Sequence, residues 1–243
     1  MTLPISTQWT TVASHGGTMD AYLALPPGGR GPGLLLLQEI FGVNAHIRAV
    51  ADQYALAGFV VLAPDVFWRQ APRVELGYEG EDRQRAMALA TALQGAEVLS
   101  DLQAAVAALR ARPDVAGITG DGAPGGKVGA VGWCMGGRLA YTAAALAGVD
   151  AAVAYYGGGI QGQLALAPQI TCPLQFHYAG HDDHIPAEAV AAVRQAFTGK
   201  PAEFFDYPDA GHGFNCWARA SYHAASAALA HGRSLAFLAE HLF

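Results

Sequence analysis

The chain reads as an α/β protein: a mainly parallel sheet with helices on both faces, opened by an N-terminal antiparallel hairpin. Three observations predict this. Short, continuous apolar runs recur along the chain, as expected of strands buried on both faces. Helix-length segments separate those runs. Only ahead of the first run do two strand-like segments flank a tight turn, Gly16-Gly17. The chain has 243 residues, 52% of them hydrophobic and 14% charged, which is enough apolar material for one large core. With no internal repeat, low-complexity tail or long linker, residues 1–243 are read as one domain.

The elements follow in order. Residues 9–12 and 20–25 form the hairpin, and Pro26-Pro27-Gly28-Gly29 breaks the chain after it. Residues 33–37 are the first buried strand. Asn44 caps a helix to about Ala57, which Gly58 ends. Residues 59–63 are the next strand, stopped by Pro64. A polar section covers residues 65–82, and helices follow over about 83–93 and 96–110. Residues 127–132 form a strand, with a helix behind it over 138–147. Residues 151–155 and 174–178 are strands, 186–197 a helix, 203–207 the last strand, and about 217–241 a long terminal helix.

Bulk properties exclude several function classes. The formal charge is −6 and no basic run occurs, which argues against nucleic acid as a partner. Three widely spaced cysteines, Cys134, Cys172 and Cys216, make neither a disulfide framework nor a C-x-x-C pair. They point to a reducing compartment. Met1-Thr2-Leu3-Pro4-Ile5 lacks a basic n-region and an apolar h-region, and the longest aliphatic run, Leu34 to Leu37, is too short to span a bilayer. The expectation is a cytoplasmic protein with no membrane partner, monomeric or weakly homo-oligomeric.

The chemistry centres on Gly132-Trp133-Cys134-Met135-Gly136-Gly137, a G-x-C-x-G pattern between a strand and a helix. This is the form of a nucleophile elbow with cysteine in place of serine. Glycines flank the nucleophile because a Cβ there collides with the neighbouring backbone. The helix start beyond favours a thiolate and an oxyanion. The bland alternative is a buried cysteine in a glycine-rich turn. A cysteine nucleophile needs a base, and the base an orienting group. His212 follows the last strand, and Asp182 follows the strand before it, with Asp183 the alternative acid. Cys134, Asp182 and His212 stand in the order nucleophile, acid, histidine, the α/β-hydrolase order, on loops beyond strand ends. His177, His181 and His184 fit no metal spacing, so no metal and no cofactor are expected.

With those segments in view, the chain resembles the dienelactone hydrolase (carboxymethylenebutenolidase) family over nearly its whole length. The residues that carry the likeness are Gln38-Glu39-Ile40-Phe41-Gly42-Val43-Asn44, Arg83-Gln84-Arg85, Lys127-Val128-Gly129 before the elbow, and Tyr155-Tyr156-Gly157. The resemblance implies an α/β-hydrolase fold and a cysteine-dependent ester or enol-lactone hydrolase. It implies Cys134 as nucleophile, His212 as base and Asp182 as its orienting group. It also implies Glu39 as the glutamate that meets the resting cysteine, and the N–H groups of Ile40 and Met135 as oxyanion donors. The substrate contacts implied are Arg85, with Arg83 as alternative, Tyr155 and Phe41, on a small ester or lactone carrying a carboxylate. Two positions depart from the family pattern: Cys216 stands where a second carboxylate-binding arginine is expected, and Leu89 where a pocket tyrosine is. Arg219, on the following helix, is the remaining candidate anion contact. From the residues themselves, a charge argument bears on Glu39: a buried carboxylate beside a thiolate is repulsive, so one of the pair stays protonated and the nucleophile is latent. Glu39 paired with a nearby arginine is the structural alternative. The competing functional readings are a non-catalytic carboxylate-binding protein on a hydrolase scaffold and a thiol-redox protein.

Overall fold

A computed structural model describes residues 5–116 and 126–243. The reading of residues 1–4 as free of a leader lies outside them. The elements are β1 (Ser6–Ser14), β2 (Gly17–Leu25), β3 (Gly33–Leu37), α1 (Ala45–Leu56), β4 (Val60–Pro64), α2 (Gly80–Ala92), α3 (Gly95–Arg110), α4 (Pro113–Ala116), β5 (Val128–Trp133), α5 (Met135–Leu146), β6 (Ala151–Tyr155), β7 (Leu174–His181), α6 (Ala187–Ala196), β8 (Ala202–Gly211) and α7 (Ala224–Leu242). A 3₁₀ segment, Ile160–Gln169, lies between β6 and β7.

The eight strands form one sheet in the order β1-β2-β4-β3-β5-β6-β7-β8. β1 and β2 pair antiparallel, as do β2 and β4; the remaining neighbours pair parallel. This is the α/β-hydrolase architecture expected from the sequence. β3, β4, β5 and β6 are buried along their whole length, which is why each reads as an unbroken apolar run. The chain steps outward from β3 to β4 on one side and to β5 on the other. The strand order therefore reverses at β3, and the crevice at the carboxyl ends of β3 and β5 is where such sheets place ligands.

Alternation along β5 assigns the faces. An added Cβ at Gly129 meets Leu242 and Leu238 of α7, whereas one at Gly33, paired beside Val128, meets Leu109 of α3. α1 lies with α7, Tyr54 touching His231 at a ring-centroid separation of 5.1 Å. At β3's exit Asn44 caps α1, its Oδ1 accepting from the Ile47 N–H at 3.2 Å. Its Nδ2 donates to the Leu76 carbonyl and to Tyr78 Oη, which holds the 65–82 section over the end of β3.

Two expectations need correction. The terminal helix begins at Ala224 rather than near Trp217. His223 caps it, and residues 216–222 turn instead, with Arg219 N bonded to the Cys216 carbonyl and Tyr222 N to that of Arg219. The helix-forming composition there is overridden by a tertiary contact of Arg219. β7 and β8 run longer than their apolar cores because they pair with each other to His181 and Gly211. Among the described residues, no helix is long and apolar enough to cross a membrane.

Candidate active site

Cys134 stands between the last residue of β5 and the first of α5, with φ +54° and ψ −116°. A non-glycine residue held there costs on the order of 1–3 kcal/mol. The close approach of three backbones holds it. A Cβ at Gly132 would lie 2.0 Å from the Gly136 carbonyl oxygen, and one at Gly136 would lie 2.1 Å from that of Leu37. The glycines thus let the start of α5 rest against the end of β3 and bring the Ile40 segment beside Met135. The first N–H groups of α5, Met135 among them, have no partner within the helix.

His212, just beyond β8, completes the arrangement. Its Nδ1 bonds Asp182 Oδ2 at 2.8 Å, with Oδ1 at 3.1 Å, and both side chains are nearly fully buried. Asp182 Oδ1 also accepts from the N–H groups of His184 and Ile185, so it serves as turn residue and histidine partner together. Asp183 is exposed. Burial pulls the His212 imidazole down, but the Asp182 hydrogen bond, then the bond and charge of Cys134, outweigh this and push it up to about 9. Tyr156 packs edge-on against His212 at 5.0 Å, and on His212 too His184 packs edge-on, at 4.7 Å.

A cavity of about 200 Å³ opens over the sulfur. Ile40, Phe41, Arg83, Met87, His184 and Arg219 line it beside Cys134 and His212. Arg83 and Met87 stand four residues apart on α2 and so share a face. Arg85 is exposed and is not among the lining residues, because two residues along a helix turn the side chain about 200°. Of the two arginines considered, both exposed, Arg83 is the one that lines the cavity. Tyr155 is a correction of the same kind. It shares the face of Trp133 and His177, stacks on both, and bonds Ser234 of α7 at 2.7 Å, so it belongs to the core. The next residue, Tyr156, reaches the histidine instead.

Glu39 is 2% exposed; its hydrogen-bond partner is Arg219, at 3.0 Å from Oε1, and the thiol beside it is that of Cys216 rather than the resting cysteine. Burial pushes its carboxyl above the ordinary range, against the opposing charges of Arg219 and His212. A buried carboxylate needs a counter-charge, and Gly213 makes room for it: a Cβ there would lie 2.4 Å from Arg219 Nη1. Arg219 therefore reaches the site from a turn rather than from the helix assumed for it. No spacing signal points to Met87 or Gly158, which line the cavity from α2 and from the loop after β6.

The family model described as "Dienelactone hydrolase family" matches residues 19–242. A carboxymethylenebutenolidase of Pseudomonas putida is 36% identical over 236 residues, covering 96% of either chain. A "Carboxymethylenebutenolidase 1" of Cupriavidus pinatubonensis is 33% identical over 226 residues, covering 92% of either chain. A crystal structure named "Putative Dienelactone Hydrolase", from Klebsiella pneumoniae, superimposes with a TM-score of 0.83 at 32% identity, covering 97% of this chain and 99% of that one.

Proposed function

We propose that this chain, which belongs to the dienelactone hydrolase family and is an ester or lactone hydrolase, works through Cys134, His212 and Asp182 by way of a thioester. The observation that carries this reading is the single cavity shared by a cysteine at a positive-φ apex and a histidine bonded to a buried aspartate.

In the first half-reaction Cys134 Sγ forms a bond to the substrate carbonyl carbon. The N–H groups of Ile40 and Met135 receive the developing oxyanion; losing one such donor typically costs about 10²–10³ in rate. The ring C–O bond then breaks, leaving a thioester on Cys134 and an enolate that takes from His212 the proton the imidazole accepted from the Cys134 thiol. In the second half-reaction His212 removes a proton from water, the hydroxyl adds to the thioester, and the acid leaves as the thiol is restored. Asp182 holds the imidazole in one tautomer throughout. An enolate is a far better leaving group than a simple alkoxide, which favours enol-lactones and activated esters. The relatives' name denotes a lactone bearing a carboxymethylene group. Arg83, with its positive charge at the cavity wall, suits the carboxylate of such a substrate.

Steady-state kinetics of Cys134→Ala on an enol-lactone test the reading. Turnover at the uncatalysed rate supports it, and retained hydrolysis removes it.

A further inference from the structure

Glu39, His46 and Cys216 come from three separate segments: the loop after β3, the first turn of α1 and the turns before α7. One ligating atom from each lies within 4.8 Å of the other two, and all three residues are buried. Neither ring nitrogen of His46, which is 5% exposed, has a hydrogen-bond partner among the described residues, nor has Glu39 Oε2. Each buried polar atom left so costs about 1–3 kcal/mol. One carboxylate oxygen of Glu39 and one ring nitrogen of His46 converge with the Cys216 sulfur, and convergent buried groups short of partners are the pattern of a binding site rather than of a core.

We propose that Glu39, His46 and Cys216 hold a divalent cation of the zinc class, next to but distinct from the Cys134 cavity. Thiolate sulfur, imidazole nitrogen and carboxylate oxygen are the donor types that such a cation takes. Bonds of about 2.0–2.3 Å at tetrahedral angles put ligand atoms about 3.3–3.8 Å apart. From separations of up to 4.8 Å the cluster closes onto the ion with a contraction of about 1.5 Å at most, taken up by side-chain rotation. Arg219 occupies Oε1 of Glu39 and leaves Oε2 for the cation. Trp217, edge-on to His46 at 4.2 Å, fixes the ring. Cys216 gives up its proton as the sulfur–metal bond forms. A second cavity, of about 270 Å³, reaches His46 past Asn44, Glu75 and Tyr78 and shares no lining residue with the Cys134 cavity. It brings solvent to the His46 side of the cluster.

The test is a cobalt(II) titration of the full chain, because thiolate-bound cobalt has a charge-transfer band that carboxylates and imidazoles do not give. One equivalent is expected to bind with that band, and zinc to bleach it. The band is expected to persist in Cys134→Ala and to vanish in Cys216→Ser, which keeps the volume of the side chain. His46→Gln is expected to weaken binding by about 10–100-fold, with thermal melts reporting that each variant is folded. Loss of the band in Cys134→Ala, its survival in Cys216→Ser, or no band in the folded wild type overturns the proposal. None of these outcomes bears on hydrolysis, so the site and the hydrolase reading fail separately.

Discussion

Asp182→Asn isolates the electrostatics of the proposed base. His212 rises from an ordinary 6.5 to about 9 although burial opposes it, and the bond to Asp182 is the largest of the raising causes. The difference corresponds to a preference for imidazolium on the order of 3 kcal/mol. A histidine whose pKa is raised on folding adds stability that is fully present below about pH 6.5 and is lost as the pH climbs through about 9. Asparagine is the right perturbation because its oxygen still accepts from His184 and Ile185, at 2.8 and 3.1 Å in the wild type, so the turn is kept. Facing His212 Nδ1, the anionic Oδ2 gives way to an amide N–H donor, so the charge is lost and Nδ1 must turn acceptor. With that charge gone, burial weighs more heavily, and the His212 titration midpoint is expected to fall by more than one pH unit. The melting temperature should then vary less with pH between 6.5 and 9 than in the wild type. The rate constant for lactone hydrolysis is expected to drop about 10³–10⁴-fold, as when a triad carboxylate becomes an amide elsewhere. NMR titration of the His212 ring and melts at several pH values read these effects. A midpoint that stays near 9 in the variant refutes the assignment of Asp182 as the controlling charge.

Other predictions follow from single contacts. Arg83→Ala should raise KM for a carboxylate-bearing lactone by about 10–100-fold, equivalent to about 1.5–3 kcal/mol for a charge-assisted bond. Arg85→Ala should leave it near the wild-type value, and equal effects from the two would contradict the placement of Arg83 at the cavity wall. Gly136→Ala drives a methyl to 2.1 Å from the Leu37 oxygen and should destabilise by at least about 1–3 kcal/mol; an unchanged melting temperature contradicts the close approach. Arg219→Met leaves Glu39 buried without its partner, and denaturant titration should show a loss of about 3–5 kcal/mol. The double variant with Glu39→Gln should recover part of that loss.

The central strands were legible because burial on both faces leaves little but aliphatic residues; β3 and β6 have the limits that their apolar runs suggest. The elbow was legible because three backbone contacts demand glycine at fixed offsets from Cys134. Partners that depend on which face a side chain takes were less so. Tyr155 and Tyr156 are neighbours in sequence, yet one stacks under α7 and the other against His212. The choice between Arg83 and Arg85 turns on the rotational phase of α2, a helix with one buried residue, Ala86, and so little periodicity to read. Glu39 pairs with an arginine 180 positions away, through a turn inside what composition marks as helix. The Glu39–His46–Cys216 cluster was hidden because its third member stands 170 positions beyond His46.

The most direct test of the central claim is the intact mass of the protein quenched within the first turnovers of an activated ester or enol-lactone. The account predicts a mass increase equal to the acyl group, mapped to Cys134, removed by hydroxylamine and absent from Cys134→Ala. Hydrolysis that proceeds with the acyl group on another residue, or on none while the Cys134→Ala enzyme still turns over, contradicts it.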